Sequence, residues 1–337
     1  MTILAHSFGT TFISMLQIFF IILAAGILLR KKVLSQDNLH GLSVATVDVF
    51  LPCMCFTSIL ANFRPGEFDI WWILPVSGIL LTAVGMLVGW LFFVRELPQK
   101  RNMLPLAGVQ NAGFMILPLG KILFPDQFDQ FAVYVFMFTI GQSLPIWTIA
   151  KLMTTAAPDA RLRWKDMLTP PFIATIAAIV IVFAGLHPIF FIPDPETPQF
   201  AHAFNTILAT ITSGARLLGD ATVPLMIFIL GGVLGSIRFR LRAYLGDIVR
   251  VVLVKFVLLP LMVIGALLYS GIGTAMPLLA VFFVIQSASA PAISLVIQVK
   301  KYGGDEQKLG SMVLVCYLVC LFMLPFWVSV WQLISLR

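Results

Sequence analysis

The chain has 337 residues, 60% hydrophobic and 11% charged, with a formal charge of +7 from 22 Lys and Arg against 15 Asp and Glu. A soluble domain carries about 25% charged residues, so the composition excludes a soluble enzyme, a disordered tail and a nucleic-acid binder. What remains is an integral membrane protein, in which excess basic charge marks loops held on the cytoplasmic side.

A bilayer core about 30 Å thick takes about 20 mostly apolar residues per helix, and ten such runs follow one another along the chain. The first, 12–29, has no basic residue before it and Arg30-Lys31-Lys32 after it, the reverse of a cleaved leader, and is expected to be a retained span. The second, 42–62, contains Asp48, Pro52, Cys53 and Cys55; the third, 70–94, runs into Arg95, Lys100 and Arg101. Span four, 104–124, holds Gly108-Val109-Gln110-Asn111-Ala112-Gly113 and then Pro118, and span five, 131–153, holds Pro145. A basic loop at 154–170 divides the chain into five spans (1–153) and five more (171–337). Span six is 171–187, and span seven, 205–235, contains Arg216 and Asp220. Span eight is 247–270; span nine, 275–299, holds Gln286-Ser287-Ala288-Ser289-Ala290-Pro291; span ten, 309–334, holds Pro325. A barrel would show short segments of alternating polarity, whereas 18–29 and 256–268 are apolar on every face.

Sixteen of the 22 basic residues fall in the odd-numbered loops, while the two ends and the even loops hold only Arg64 and Arg337. This alternation supports ten spans with both termini on the non-cytoplasmic side. The four cysteines lie in apolar runs and the four histidines are scattered, so they lack metal-ligand spacing. No metal or cofactor is expected.

An odd number of spans per half requires any internal repeat to be inverted in the membrane. D-V-F-L-P-C-M-C-F at 48–56 matches D-A-T-V-P-L-M-I-F at 220–228 in Asp, Pro, Met and Phe, and Pro145 matches Pro325 at an offset of 180. That second offset pairs Asn111 with Pro291, whereas one near 173 pairs Pro118 with Pro291. The bend in span four therefore stays open between Gln110–Gly113 and Pro118. Inverted repeats mark secondary transporters, whose site lies near the midplane where discontinuous helices meet. Small residues and Pro interrupt spans four and nine, and each break turns the N-terminus of a half-helix, with its free N–H groups, toward the interior, where it suits an anion. The expected fold is thus an all-α membrane protein of ten transmembrane helices in two inverted five-helix repeats, with helices 4 and 9 broken and crossing at the midplane. The expected substrate site comprises Gln110, Asn111, Gly113, Ser287, Ser289 and Pro291, with Cys55 from span two.

These residues resemble the auxin efflux carrier family, which includes plant PIN-type carriers and bacterial carriers of small carboxylates. The resemblance is concentrated in Asn111 followed seven residues later by Pro118-Leu119, in Asp220-Ala221 continuing to Phe228-Ile229-Leu230-Gly231, and in Ala290-Pro291 with Tyr302-Gly303-Gly304-Asp305 and Leu324-Pro325. It implies crossed broken helices, kinship with bile-acid symporters and sodium–proton antiporters, an organic anion as substrate, and Asn111 as the polar residue at the crossover. The chain departs from PIN members in lacking a long hydrophilic insert between spans five and six, which looks bacterial. It also has Gln110 where plant members have a crossover proline.

Ionisable groups inside the hydrocarbon are functional candidates. Asp48 and Asp220 occupy matching places in the two halves, and Arg216 lies one helical turn before Asp220, where it can pair with it. A buried Asp48, with no such neighbour, suits proton coupling. Lys121, Arg250 and Lys255 are expected near helix ends, with snorkelling stems. The leading expectation is an alternating-access carrier of a small organic anion, such as an auxin-like acid, malate or malonate, linked to protons and set in the bacterial inner membrane. A sodium-coupled symporter of the same fold is the alternative. An embedded lipid-modifying enzyme would need clustered acids or a nucleophile–base pair, and neither is present. A homodimer is left open.

Overall fold

In hydrocarbon each backbone N–H and C=O must be satisfied inside the protein, so apolar runs of this length become helices. The computed structural model describes residues 2–155, 164–191, 199–237 and 244–335; Arg161, Arg163, Arg238, Arg240, Arg242 and Arg337, used above for topology, lie outside them. In chain order the main helices begin with α1 (Thr2–Arg30), α2 (Gln36–Asn62), α3 (Ile73–Lys100), α4 (Met103–Gly108), α5 (Ile116–Leu123), α6 (Pro125–Thr154) and α7 (Pro170–Phe183). They continue as α8 (Gln199–Asp220), α9 (Thr222–Ser236), α10 (Leu245–Ser270), α11 (Pro277–Ser287), α12 (Ser294–Tyr302) and α13 (Glu306–Ser335). Among the described residues seven stretches are long and apolar enough to cross a membrane: α1, α2, α3, α6, α8 with α9, α10 and α13. The remaining expected spans correspond to α7, to α4 with α5, and to α11 with α12.

Helix α1 starts at Thr2 rather than at residue 12. Its first turns are polar, but Thr10 and Ser14 donate their hydroxyls to the carbonyls four residues back, at 3.0 and 2.9 Å, so the helix satisfies these groups without an apolar run. Prolines then set the irregularities. Pro52 has no N–H for the Asp48 carbonyl and its ring crowds it, and Thr46–Phe50 widens into a π-turn. Pro260 does the same to Val254–Leu258, and the freed Phe256 carbonyl accepts the indole N–H of Trp327 at 2.6 Å. Pro224 has the same effect on Asp220, where a one-residue turn at Ala221 separates α8 from α9.

Helix α1 packs against α9 and α13, α2 against α7 and α8, and α3 against α4 and α6. Glycines permit the closest approaches around α3. A side chain on Gly85 would come within 2.6 Å of the Gly108 Cα, so the two backbones touch just before span four unwinds. A Cβ on Gly141 of α6 would overlap the backbone carbonyl of Pro75. Gly141→Ala is therefore expected to lower the thermal stability of the detergent-purified protein by about 1–3 kcal/mol, the usual cost of overpacking. Gly265→Ala, which points into open space, serves as the neutral control; equal melting of the two variants would show that α3 and α6 are not held at this contact.

Candidate functional site

Span four is unwound over 109–115 and span nine over 288–293. Both interruptions are buried, and they pair with each other. Asn111 N–H donates to the Ala290 carbonyl at 2.9 Å and Ala292 N–H to the Val109 carbonyl at 3.2 Å, forming an isolated antiparallel bridge between Gln110 and Pro291. In such a bridge the central residues exchange no hydrogen bond; their neighbours do. Pro291 therefore sits where its missing N–H costs nothing. The bend lies at Gln110–Gly113, and Pro118 falls in the first turn of α5, where an N–H has no helical partner in any case.

Asn111 is 2% exposed and its side-chain amide donates to the Tyr317 hydroxyl of α13. An Asn amide carries two N–H donors, so one remains. The Gln142 amide of α6 donates to the Gln110 backbone carbonyl at 3.0 Å, while Gln110 Nε2 and both amide atoms of Gln286 are buried without a hydrogen-bond partner. Ser287 and Ser289 are fully buried, and their hydroxyls donate to the Val284 and Gln286 carbonyls at 2.8 and 2.9 Å. In this conformation they cap the broken end of α11 and present no free donor.

Lys255, expected to snorkel from a helix end, is instead wholly buried inside the π-turn of α10. Its ammonium donates to the Val109 carbonyl at 3.0 Å. Ten residues of helix precede it and Pro260 holds its turn open, so its stem points into the protein rather than along the bilayer.

Two cavities lie around the crossing segments' neighbours. One of about 60 Å³ is lined by Leu51, Cys55, Gly113, Ser143, Thr175 and Met226 among others, so Cys55 and Gly113 face the same space. The other, about 170 Å³, is lined by Ser58, Asn62, Lys121, Asp129, Arg216 and Asp220 among others. Gln110, Asn111, Ser287, Ser289 and Pro291 line neither. Arg216 pairs with Asp129 at 3.8 Å, not with Asp220 one helical turn after it, because α6 brings Asp129 to the same cavity. Asp48, on its π-turn, and Asp220 are both exposed, so the premise of a buried carboxylate holds at neither.

Discontinuous helices that meet in the interior are found in transporters, and the comparisons with known proteins also point to transport. The family model described as "Membrane transport protein" matches residues 10–162 and 158–328. The chain belongs to this family. It is 21% identical to "Protein PIN-LIKES 7" of Arabidopsis thaliana over 89% of this chain and 90% of that protein. It is 30% identical to "Protein PIN-LIKES 4" over 46% and 37% of the two chains, and 29% identical to "Protein PIN-LIKES 5" over 36% and 32%, both from the same plant. This membrane transport protein is thus integral to a bilayer, and its family is one of transporters, not of enzymes.

In this member of the family, the sequence alone does not reveal Tyr317, Gln142 and Lys255 as partners of the unwound segment 109–115. A polar or ionisable residue inside an apolar run was the available signal in each case; which crossing it reached was not. Tyr317→Phe removes the acceptor of a buried Asn111 N–H and is expected to cost about 1–3 kcal/mol of stability. An unchanged melting temperature for that variant would show that the Tyr317 hydroxyl does not hold Asn111.

Proposed function

We propose that this transporter is a secondary carrier of a small organic anion working by alternating access. In this reading its ten spans form two inverted five-helix repeats, 1–153 and 171–337, joined by the loop at 154–170, with helices 4 and 9 crossing near the midplane and both termini outside a bacterial inner membrane. The observation that carries it is the antiparallel pairing of the two unwound segments, since irregular backbone at membrane depth persists only where it lines a protein or solvent-filled site. The two stretches matched by the family model, which meet at 158–162, support the division into halves.

A carboxylate at the crossing has donors to meet: the second N–H of Asn111, the unpartnered Nε2 of Gln110, and the N-terminal ends of α5 and α12, whose dipoles favour an anion. Pro291 keeps the break open, while Ser287 and Ser289 join only by turning away from the carbonyls they now bond. The 60 Å³ cavity beside Gly113 has room for roughly two waters, less than a substrate needs. One of its walls comes from α2, α7 and α9 and the other from α5 and α6. Opening therefore means sliding these groups apart, the motion alternating access requires. Proton coupling is assigned first to Asp220, which lines the polar cavity with Arg216, and then to Asp48.

A thermal-shift panel of mono- and dicarboxylates identifies the ligand, because a compound that binds the folded state raises its melting temperature. Asn111→Ala is then expected to weaken that ligand by about 1–3 kcal/mol, roughly 5- to 150-fold; unchanged affinity removes Asn111 from the site. In sodium-free liposomes an imposed pH gradient is expected to drive uptake, and a strict requirement for sodium would transfer the coupling to that ion.

A further inference from the structure

Lys255 is used by none of these steps, yet it is the one cation placed at the crossing among the described residues. It lies on α10, is wholly buried, and donates to the carbonyl of Val109, the first residue beyond the C-terminal end of α4. No carboxylate among the described residues lies within ion-pairing distance of it. The titratable side chains that interact with it electrostatically are the buried thiols of Cys316 and Cys320 on α13. Its other neighbours at the crossing are neutral.

A half-helix C-terminus and unwound carbonyls inside a transporter are where a coupling sodium ion is bound, because carbonyl oxygens and the negative end of the dipole both favour a cation. Here that end is met by an ammonium, a compact point charge on a four-carbon tether. The Val109 carbonyl accepts from it at 3.0 Å and from Ala292 N–H at 3.2 Å, so both of its lone pairs are engaged. The matching end of α11 differs: among the described residues the Ala288 carbonyl accepts from the thiol of Cys320, at 3.5 Å, and from no cation. The cation is therefore built into one half of the crossing and is not a general feature of both.

We infer that Lys255 is a tethered cation that takes the place of a bound sodium ion at the crossing, so that this transporter holds its unwound segments together without sodium. The functional meaning of this rests on the carrier reading above, but its test uses no substrate and succeeds or fails separately from it.

The test is thermal unfolding of the purified protein in sodium, choline or methylammonium chloride at one ionic strength. Wild type is expected to melt at the same temperature in all three. Lys255→Ala and Lys255→Ser, which leave a space facing the Val109 carbonyl, are expected to melt several degrees higher in sodium or methylammonium than in choline, with the gain rising with concentration. Lys255→Met, whose chain fills that space, is expected to be as indifferent to the salt as wild type. Stabilisation of wild type by sodium over choline overturns the inference, as does indifference of both small variants to the small cations. Failure of both small variants to fold even in sodium or methylammonium also overturns it. A carboxylate screen that finds no ligand leaves these outcomes untouched and counts only against the carrier reading.

Discussion

Everything at the centre of this protein depends on one constraint: a helix that unwinds in hydrocarbon exposes backbone groups that water cannot reach. Spans four and nine each unwind for several residues, and each supplies the other's missing partners through Asn111 N–H to Ala290 and Ala292 N–H to Val109. Neither segment is stable alone at that depth. The surrounding packing serves this pairing. The touching backbones of Gly85 and Gly108 bring α4 against α3, and α13 passes behind both breaks, holding Asn111 with Tyr317 and Ala288 with Cys320.

The choice of residues at the pairing follows from the same constraint. Pro291 is tolerated because it occupies the one bridge position that exchanges no hydrogen bond. Gln110 opposite it offers a carbonyl to Gln142 and an amide nitrogen that no group among the described residues accepts from. Buried polar groups in native proteins are nearly always partnered, so the orphaned amides of Gln110 and Gln286 concentrate at the crossing what the rest of the core avoids. Serines 287 and 289 are the contrasting case. Their hydroxyls are committed to the carbonyls released by the break, which makes them part of the scaffold in this conformation.

Much of this was legible in the sequence, because hydrophobic run length, basic loops and proline all act locally. The membrane class, the breaks in spans four and nine, and Asn111 with Gln110 could be read directly. Span seven was read as continuous because Pro224 sits in an otherwise unbroken apolar run, and only the conflict with the Asp220 carbonyl ends α8 there. The polar start of α1 was lost because hydroxyls that bond within their own helix look hydrophilic to a hydropathy count. Arg216 and Asp220 looked like a pair because one-turn spacing is visible in sequence, whereas the approach of Asp129 from α6 is not. Lys255 was misplaced for a related reason: depth along α10 was readable only to within a few residues, and snorkelling is the default for a lysine near an apolar edge.

The burial of Lys255 sets the character of these paired breaks. A lysine that could reach water would be a surface charge, and the crossing would then consist of neutral amides alone. Buried among them, its amine meets the α4 end of the paired breaks, while the N-termini of α5 and α12 add partial positive charge on the side where the helices resume. An acidic residue would ordinarily accompany a cation at such depth, since an unpaired buried charge is costly. None pairs with it among the described residues, so the contact that answers its burial is the Val109 carbonyl. The Val109 oxygen accepts from Lys255 and from Ala292 N–H together, so the same carbonyl that ties the two breaks to each other also holds the buried lysine.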